Sequence, residues 1–297
     1  LECPIYPECI DIVLGYQKCS QYCESGYLIG SGGMEQDDGC LNYNDWNVLV
    51  DMINEFDSFR GLLPINIVDE MHWKIDLQSE HRLFELSMHN IYPKLEGELP
   101  ISIGGLDSLQ YLDLSNNNIY GSIPNEIGNL TVLERIKLSY NNLDSEIPKE
   151  IVNLPLLKNL DLFGNQLSGN IPDFNEGLLL EEIKLYDNNL SGAIPASVSS
   201  LFNLRQLNLN KNNLSGTIPN DIFLLENLFI LKLAFNDFSG EISSQICNID
   251  RVYLDGNNLN GSLPECICNM NYFSITNNQI CGDYPSCIDI GIQVCDP

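Results

Sequence analysis

Three histidines close together in the sequence are the first candidates for metal chemistry. His72, His81 and His89 lie near Glu80 and Glu85 along the chain. A zinc site requires imidazoles that converge on one ion. The spacing of these histidines does not enforce such convergence, so we predict neither a metal site nor a cofactor.

Motifs for covalent or phosphate chemistry are missing from the 297 residues, which contain no G-x-S-x-G, H-E-x-x-H or P-loop pattern. The glycine-rich stretch from Gly30 to Gly33 lacks the lysine of a phosphate loop. Asp37 and Asp38, which follow it, are compatible with calcium, but a solvated turn is the simpler interpretation. With 41 acidic residues, chance pairs of carboxylates are inevitable. The sequence therefore predicts a protein that is not an enzyme.

Basic and aromatic residues suited to recognition are concentrated between the leucines of a repeated unit. Eight of the 14 Lys and Arg residues lie there with nine acids, which leaves 32 acids and six bases for the rest of the chain. This face is thus close to neutral, whereas the remaining surface is strongly anionic. Aromatic anchors among mixed charges are typical of protein recognition surfaces and of sugar-stacking platforms. The candidate ligand-binding residues are Tyr111, Arg135, Lys137, Tyr140, Lys158, Phe163, Lys184, Tyr186, Arg205, Lys211, Lys232, Phe235, Arg251 and Tyr253.

Charge neutralisation between neighbouring strands offers a simpler explanation for the same residues. If the strands stack in register, Lys137 lies beside Asp161, and Asp161 lies beside Lys184. Opposite charges in such positions stabilise a sheet and need not bind anything. Both interpretations stay open from the sequence.

The elements that position these residues come from a pattern that occurs six times between Leu109 and Leu233. Its first copy reads LQYLDLSNNNIYGSIP, and the first leucines are 24, 24, 23, 24 and 24 residues apart. A constant period in the twenties with the pattern L-x-x-L-x-L-x-x-N is typical of a leucine-rich-repeat solenoid. The alternation from Leu112 to Leu114 predicts a short strand with one buried face, and successive strands are expected to stack in parallel.

An asparagine follows each predicted strand at a fixed position. We interpret these asparagines as structural, because a buried amide can satisfy backbone groups of its own and the adjacent turn. They are Asn117, Asn141, Asn165, Asn188, Asn212, Asn236, Asn257 and Asn278.

The motif L-x-G-x-I-P, with I-x-x-L after it, resembles the plant-type extracellular leucine-rich repeats. That class includes receptor-kinase ectodomains and polygalacturonase-inhibitor proteins. The resemblance covers roughly residues 46–287. It implies an α/β solenoid with a curved, right-handed coil, a parallel β-sheet on the concave face, about nine repeats of 21–26 residues and disulfide-stabilised caps. It also implies a recognition role and a disulfide between Cys281 and Cys287 in the C-terminal cap.

Four segments are predicted along the chain. They are a cysteine-rich N-terminal segment at 1–40, a helical N-terminal cap at 41–82, repeats 1–8 at 83–269, and the last repeat with its C-terminal cap at 270–297. Within the N-terminal cap, a helix is predicted between Asn44 and Phe59. Its apolar residues at helical spacing are Trp46, Leu49, Ile53 and Phe56.

Eleven cysteines and four glycosylation sequons indicate a secreted, extracellular protein of the cell wall or cell surface. Cys247 and Cys268 occupy the same position in consecutive repeats, so stacking predicts that they pair. A disulfide is also predicted for Cys3 and Cys9. Because the number of cysteines is odd, one of them is expected to be unpaired or interchain. The candidates for it are Cys19, Cys23 and Cys40, and the sequons lie at Asn129, Asn189, Asn213 and Asn260.

The whole chain limits the possible partners. A net charge of −27 argues against nucleic acid. No run of eighteen apolar residues occurs, so no membrane span is predicted. The first residues lack a charged head and an apolar run, and we expect any signal peptide to have been removed.

Two functions from different classes follow from these features. The first is non-catalytic recognition of an extracellular protein, peptide or glycan by the concave face, with inhibition of a wall-degrading enzyme as a narrower version. The alternative is a structural subunit of an extracellular filament or coat. The motif C-x-x-Y-P-x-C-I-D-I begins at both Cys3 and Cys281, so that residues 1–40 resemble a duplicated C-terminal cap. Head-to-tail association through these two ends would build such a filament.

Overall fold

The computed structural model describes residues 27–29, 40–57, 72–75 and 82–281, together with residues 285 and 287. The predictions for Cys3, Cys9, Cys19 and Cys23 fall outside these residues. Cys40 begins a described strand, but the placement of its side chain is not described.

Nineteen strands are present in the described ranges. They are β1 (Tyr27–Ile29), β2 (Cys40–Asn42), β3 (His72–Ile75), β4 (Leu83–Ser87), β5 (Glu96–Glu98), β6 (Tyr111–Asp113), β7 (Asn118–Gly121), β8 (Arg135–Lys137), β9 (Asn142–Leu143), β10 (Asn159–Asp161), β11 (Glu182–Lys184), β12 (Ser191–Gly192), β13 (Gln206–Asn208), β14 (Asn213–Thr217), β15 (Ile230–Lys232), β16 (Asp237–Glu241), β17 (Arg251–Tyr253), β18 (Asn258–Asn260) and β19 (Tyr272–Ser274).

One ten-stranded sheet forms the concave face, in the order β3-β4-β6-β8-β10-β11-β13-β15-β17-β19. The strands from β4 onward come from successive repeats and pair in parallel, whereas β3 pairs with β4 in antiparallel orientation. The central residues Leu112, Ile136 and Leu160 are directly aligned and fully buried. The predicted alternation is thus correct, since the flanking residues of each strand are left for the opposite face.

The return path of each repeat is made of short helices and small parallel sheets. The sheets have the orders β5-β7-β9 and β12-β14-β16-β18. Most of the short helices begin after a proline such as Pro124, whose backbone lies at φ −66° before the helix starts. The 3₁₀ helices are Ile101–Gly105, Asn125–Asn129, Ala196–Ser200, Asn220–Leu224, Ser244–Asn248 and Glu265–Asn269, and the helix α2 spans Lys149–Val152.

The asparagine column is a structural ladder inside the solenoid, as predicted. Asn188 donates from Nδ2 to the carbonyl oxygens of Leu162 and Leu185, each at 3.1 Å. Its Oδ1 accepts a hydrogen bond from the backbone N–H of Leu167 at 3.0 Å. One amide therefore connects two consecutive repeats through buried backbone groups that would otherwise be unpaired.

The helix α1 spans Tyr43–Glu55 and covers the N-terminal end of the core. It ends four residues before the predicted limit at Phe59. Val48, Leu49 and Met52 in the helix and Phe56 just after it are buried, whereas the predicted positions of the Trp46 and Ile53 side chains lie outside what the structure describes. Asp45, also buried, accepts hydrogen bonds from the guanidinium of Arg82 and from a backbone N–H. None of the helices in the described ranges is long and apolar enough to cross a membrane.

The cysteine pairs differ from those predicted. Cys247 pairs with Cys266, and Cys268 pairs with Cys287, each across 19 residues. The predicted pairs Cys247–Cys268 and Cys281–Cys287 are therefore wrong, although Cys281 is also disulfide-bonded.

The reason for this difference lies in the short helix Glu265–Asn269. Its Ile267 points into the core. Cys266 precedes this inward residue and bonds the preceding repeat, whereas Cys268 follows it and bonds the chain beyond. Cysteines at identical positions of two repeats are consequently not the ones that meet.

Candidate ligand-binding surface

The residues predicted to bind a ligand all lie in or next to strands of the concave sheet. Seven are in strands: Tyr111 in β6, Arg135 and Lys137 in β8, Lys184 in β11, Lys232 in β15, and Arg251 and Tyr253 in β17. Lys158 and Arg205 directly precede β10 and β13. Five more lie two or three residues after a strand, namely Tyr140, Phe163, Tyr186, Lys211 and Phe235.

Three of these side chains form a central aromatic cluster, which consists of Tyr140, Phe163 and Tyr186. The rings of Phe163 and Tyr186 are stacked, with centroids 4.2 Å apart and an angle of 10° between their planes. Tyr140 meets Phe163 edge to face at 4.8 Å and 81°. Tyr140 is 51% exposed, so the cluster presents an aromatic surface to solvent. Burial, together with the neighbouring Tyr140 and Asp161, raises the pKa of Tyr186 to about 12.

Two exposed aromatic residues adopt a backbone conformation that L-residues with large side chains rarely adopt. Tyr140 has φ +53° and Phe235 has φ +58°. In the repeat that follows each of them, the equivalent residue is a glycine, Gly164 or Gly256. A β-carbon on these glycines would lie 2.7 Å from Tyr140 Cδ1 and 2.8 Å from Phe235 Cδ1. The missing side chain therefore makes room for the ring of the preceding repeat.

A second aromatic cluster lies toward the C-terminal end of the sheet. Tyr253 stacks on Tyr272 with centroids 4.5 Å apart, and Lys232 lies over the Tyr253 ring at 4.9 Å. Arg251 lies over the Phe229 ring at 5.5 Å. Phe229 and Tyr272 are not among the candidates named from the sequence. Their positions between the repeat leucines nevertheless predict that both lie on this face.

Charge neutralisation explains part of this face. Lys158 pairs with Glu134 at 2.8 Å, and Arg205 pairs with Glu181 at 3.7 Å, in each case across neighbouring repeats. These two basic residues fit the simpler interpretation, in which the charges stabilise the sheet.

The neutralisation expected at Asp161 comes from the nearby charges of two lysines, without a direct ion pair among the described residues. The register places Asp161 between Lys137 and Lys184, as predicted. However, Lys137 pairs with Asp113 at 3.4 Å, and Lys184 pairs with Glu182 at 2.6 Å. Both flanking lysines are therefore engaged elsewhere.

Asp161 and Asp113 occupy equivalent positions two repeats apart, but their pKa values are shifted in opposite directions. Burial raises the pKa of Asp161 to about 6, although the nearby charges of Lys184 and Lys137 oppose this shift. Burial acts in the same direction on Asp113, but hydrogen bonds from Ser115 and further partners outweigh it and hold the pKa of Asp113 below its usual value. Asp161 is thus the carboxylate of this pair that is poorly stabilised as an anion.

Comparison with known protein families identifies the repeats. Leucine-rich-repeat family models match residues 107–167, 203–225 and 248–270. The chain is a leucine-rich-repeat protein. Comparison with curated protein sequences gave no match.

Solved structures resemble this leucine-rich-repeat protein over most of its length. A TDR receptor is 32% identical, with a TM-score of 0.62 over 69% of this chain and 36% of that one. The Arabidopsis receptor kinase HAESA ectodomain, solved with an IDA peptide hormone ligand, is 31% identical, with a TM-score of 0.60 over 65% of this chain and 34% of that one. A plant ice-binding protein, 22% identical, shares the fold with a TM-score of 0.64 over 83% of this chain and 90% of that one. The leucine-rich-repeat protein thus spans about a third of the length of the two receptor chains.

The concave surface offers recognition by shape, stacking and charge. Within the described ranges, no group of three or more His, Cys, Asp or Glu side chains could hold a metal ion. The two aromatic clusters and the carboxylate of Asp161 are its most distinctive features.

Proposed function

We propose that this protein recognises an extracellular peptide with its concave face and catalyses no reaction. The observation that carries the proposal is the central aromatic cluster, in which three rings from consecutive repeats form one partly exposed surface. Aromatic side chains with few rotatable bonds, near the middle of a surface, dominate the binding energy of many interfaces. The peptide hormone in the HAESA complex is bound by a related ectodomain, which supports the choice of a peptide over other ligands.

The extracellular setting belongs to the same proposal. Two disulfides between successive turns at the C-terminal end favour an oxidising compartment. The four sequon asparagines, Asn129, Asn189, Asn213 and Asn260, are all exposed and therefore accessible for glycosylation.

The test is peptide selection on the wild-type protein, followed by affinity measurement on a double variant. Random peptides on phage would be selected and their dissociation constants measured by calorimetry. Replacing Lys184 and Tyr186 with alanine should weaken binding by a few kcal/mol, the usual loss at a hot spot. Lys149→Ala is the control, because this exposed side chain lies in a short helix of the return path, away from the concave sheet. Unchanged affinity in the double variant, with an unchanged melting temperature, would remove this part of the face from consideration.

The head-to-tail filament is the second candidate function. It rests on the sequence motif that both ends of the chain share. Residues 1–26 and 288–297, which carry much of that motif, lie outside the described residues. The mass of the native, non-reduced protein tests its covalent form. A monomer mass with one alkylatable thiol would exclude an interchain disulfide, and a ladder of multimers would support one.

A further inference from the structure

Asp161 presents a buried acceptor that the protein itself leaves unused. Its Oδ1 is buried and has no hydrogen-bond partner among the described residues. Ser139 and the backbone N–H of Phe163 stabilise the rest of the carboxylate. Such an oxygen is costly, because it has lost its water and gained no replacement.

Asp113 and Asp255, which lie in the same sheet surface, show how the fold normally satisfies a carboxylate. Oδ1 of Asp113 accepts hydrogen bonds from the backbone N–H and Oγ of Ser115 at 3.1 and 2.6 Å. Oδ1 of Asp255 accepts from the backbone N–H and Oγ1 of Thr276 at 2.9 and 2.7 Å. In both cases a Ser or Thr is the donor. At the position that corresponds to Ser115 the chain has Phe163, whose side chain cannot donate, so the hydroxyl that stabilises Asp161 is that of Ser139 in the preceding repeat.

Asp161 has two lysines on the neighbouring strands but forms no direct ion pair with either of them in the described part of the chain. The groups that face it are Lys137, Ser139 and Tyr140 from one neighbouring repeat, and Lys184 and Tyr186 from the other. The two lysines pair with Asp113 and Glu182, so Asp161 shares their charges with another acid in each case. Asp187, which is exposed beside Tyr186, adds a further negative charge.

The central aromatic cluster lies directly beside this carboxylate. Phe163 is two residues from Asp161, and its ring stacks on Tyr186 and meets Tyr140. Aromatic faces attract cations through their quadrupoles, most strongly where water is excluded. A carboxylate next to several rings is therefore suited to a positively charged group.

We propose that Asp161, with Tyr140, Phe163 and Tyr186, forms a site for a positively charged side chain of the peptide, an arginine or a lysine. This inference rests on the proposed function and names the residue type that the face selects. The charge of a guanidinium or ammonium would be attracted to the carboxylate even before Oδ1 is contacted, because Coulomb attraction acts over several ångströms in a partly desolvated site. The excess of acids over the whole chain, with a net charge of −27, favours the same choice.

This site predicts that the affinity for a cationic peptide depends on pH. The pKa of Asp161 is about 6 in the free protein. Above that pH the carboxylate is charged and attracts the cation, and below it the carboxyl is neutral. The affinity for a cationic peptide should therefore fall as the pH is lowered through about 6 or slightly below, since bound cation stabilises the charged form.

The experiment uses peptides selected on the wild-type protein and a pair of matched aspartate variants. We expect selected peptides to share an arginine or lysine, and replacement of an arginine with citrulline, its neutral isostere, to weaken binding at least tenfold. In Asp161→Asn the arginine and citrulline peptides should bind equally, whereas Asp237→Asn, which removes an exposed carboxylate of the return-path strand β16, should keep the difference. Melting temperatures would verify that each variant is folded, and the pH dependence of affinity in the wild-type protein provides a second, variant-free readout.

The possible failures are distinguishable. If selected peptides lose affinity with Lys184 and Tyr186 replaced but show no arginine or lysine preference and no effect of Asp161→Asn, the cation site is refuted and the proposed function stands. If no peptide binds while neutral oligosaccharides bind through Tyr140, both proposals are refuted. If both aspartate variants discriminate equally between the arginine and citrulline peptides, the role of Asp161 itself is refuted.

Discussion

The ring of Tyr140 lies across Gly164 of the next repeat, so closely that a β-carbon on Gly164 would come within 2.7 Å of the ring. The relationship connects two unusual features of the surface. Tyr140 adopts a left-handed backbone conformation that directs its ring along the sheet, and the next repeat has no side chain at the same position. The exposed edge of the aromatic cluster depends on this pair.

Replacing Gly164 with alanine should displace the Tyr140 ring. We expect a loss of about 1–2 kcal/mol in unfolding free energy, since the new methyl group meets the ring and the backbone at φ +66° disfavours alanine. Peptide binding should weaken in parallel. The measurement is chemical unfolding together with calorimetric titration of a selected peptide.

Gly177→Ala is the matched control for this effect. Gly177 has φ +80°, but a β-carbon there would meet nothing within 4 Å. The control should therefore show only the backbone cost, on the order of 1 kcal/mol, and no change in affinity. Equal behaviour of the two variants would contradict the role assigned to the Tyr140–Gly164 contact.

Asn188→Leu should destabilise the solenoid by roughly 1–3 kcal/mol, because two carbonyl oxygens and one N–H lose their partner. Asn142→Leu replaces an exposed asparagine two repeats earlier and should stay within about 0.5 kcal/mol of the wild-type protein. Urea unfolding followed by circular dichroism compares the two. Wild-type stability in Asn188→Leu would show that the amide is dispensable.

The disulfide assignment predicts which thiol each cysteine substitution exposes. Cys266→Ser should leave Cys247 alkylatable, and Cys268→Ser should leave Cys287 alkylatable. Each loss should cost about 3 kcal/mol, the value for closing a loop of this size. Mass spectrometry of alkylated peptides identifies the freed residue. A free Cys247 in Cys268→Ser would restore the pairing predicted from the repeat alone.

Asp161→Asn should stabilise the free protein at neutral pH. The folded-state pKa of about 6 is above the ordinary aspartate pKa of 3.8, so folding favours the protonated form of the carboxyl. Its destabilising contribution is full above about pH 6 and disappears as the pH falls toward the unfolded-state value. The gain at pH 7 should be about 1–2 kcal/mol, less than the full shift implies because the carboxyl is partly hydrated.

The test of this prediction is unfolding at pH 7 and at about pH 4 for both proteins. At the lower pH the two proteins should have nearly equal stability. Acidification also relieves repulsion among the many carboxylates, so the difference between wild type and variant is the informative quantity. A variant that is less stable than the wild type at pH 7 would mean that Asp161 has a stabilising partner.

The repeat pattern was enough to predict the sheet, its parallel register and the asparagine ladder. The reason is that each of these depends on one repeat and its nearest neighbours, and the same spacing recurs throughout. Leu112, Ile136 and Leu160 had to align once the period was known, and so did Asp161 with Lys137 and Lys184. The face on which Tyr140, Phe163 and Tyr186 lie followed from the same alternation.

Only the tertiary structure decided what those aligned side chains do. Lys137 and Lys184 could each reach more than one acid, and the choice of Asp113 and Glu182 depends on rotamers and burial that spacing does not encode. The cysteine pairs depend on the direction in which a short helix presents the residues on either side of Ile267. Repetition determines which residues are neighbours, whereas side-chain direction and desolvation determine which neighbours interact and leave the carboxylate of Asp161 without a direct ion pair among the described residues.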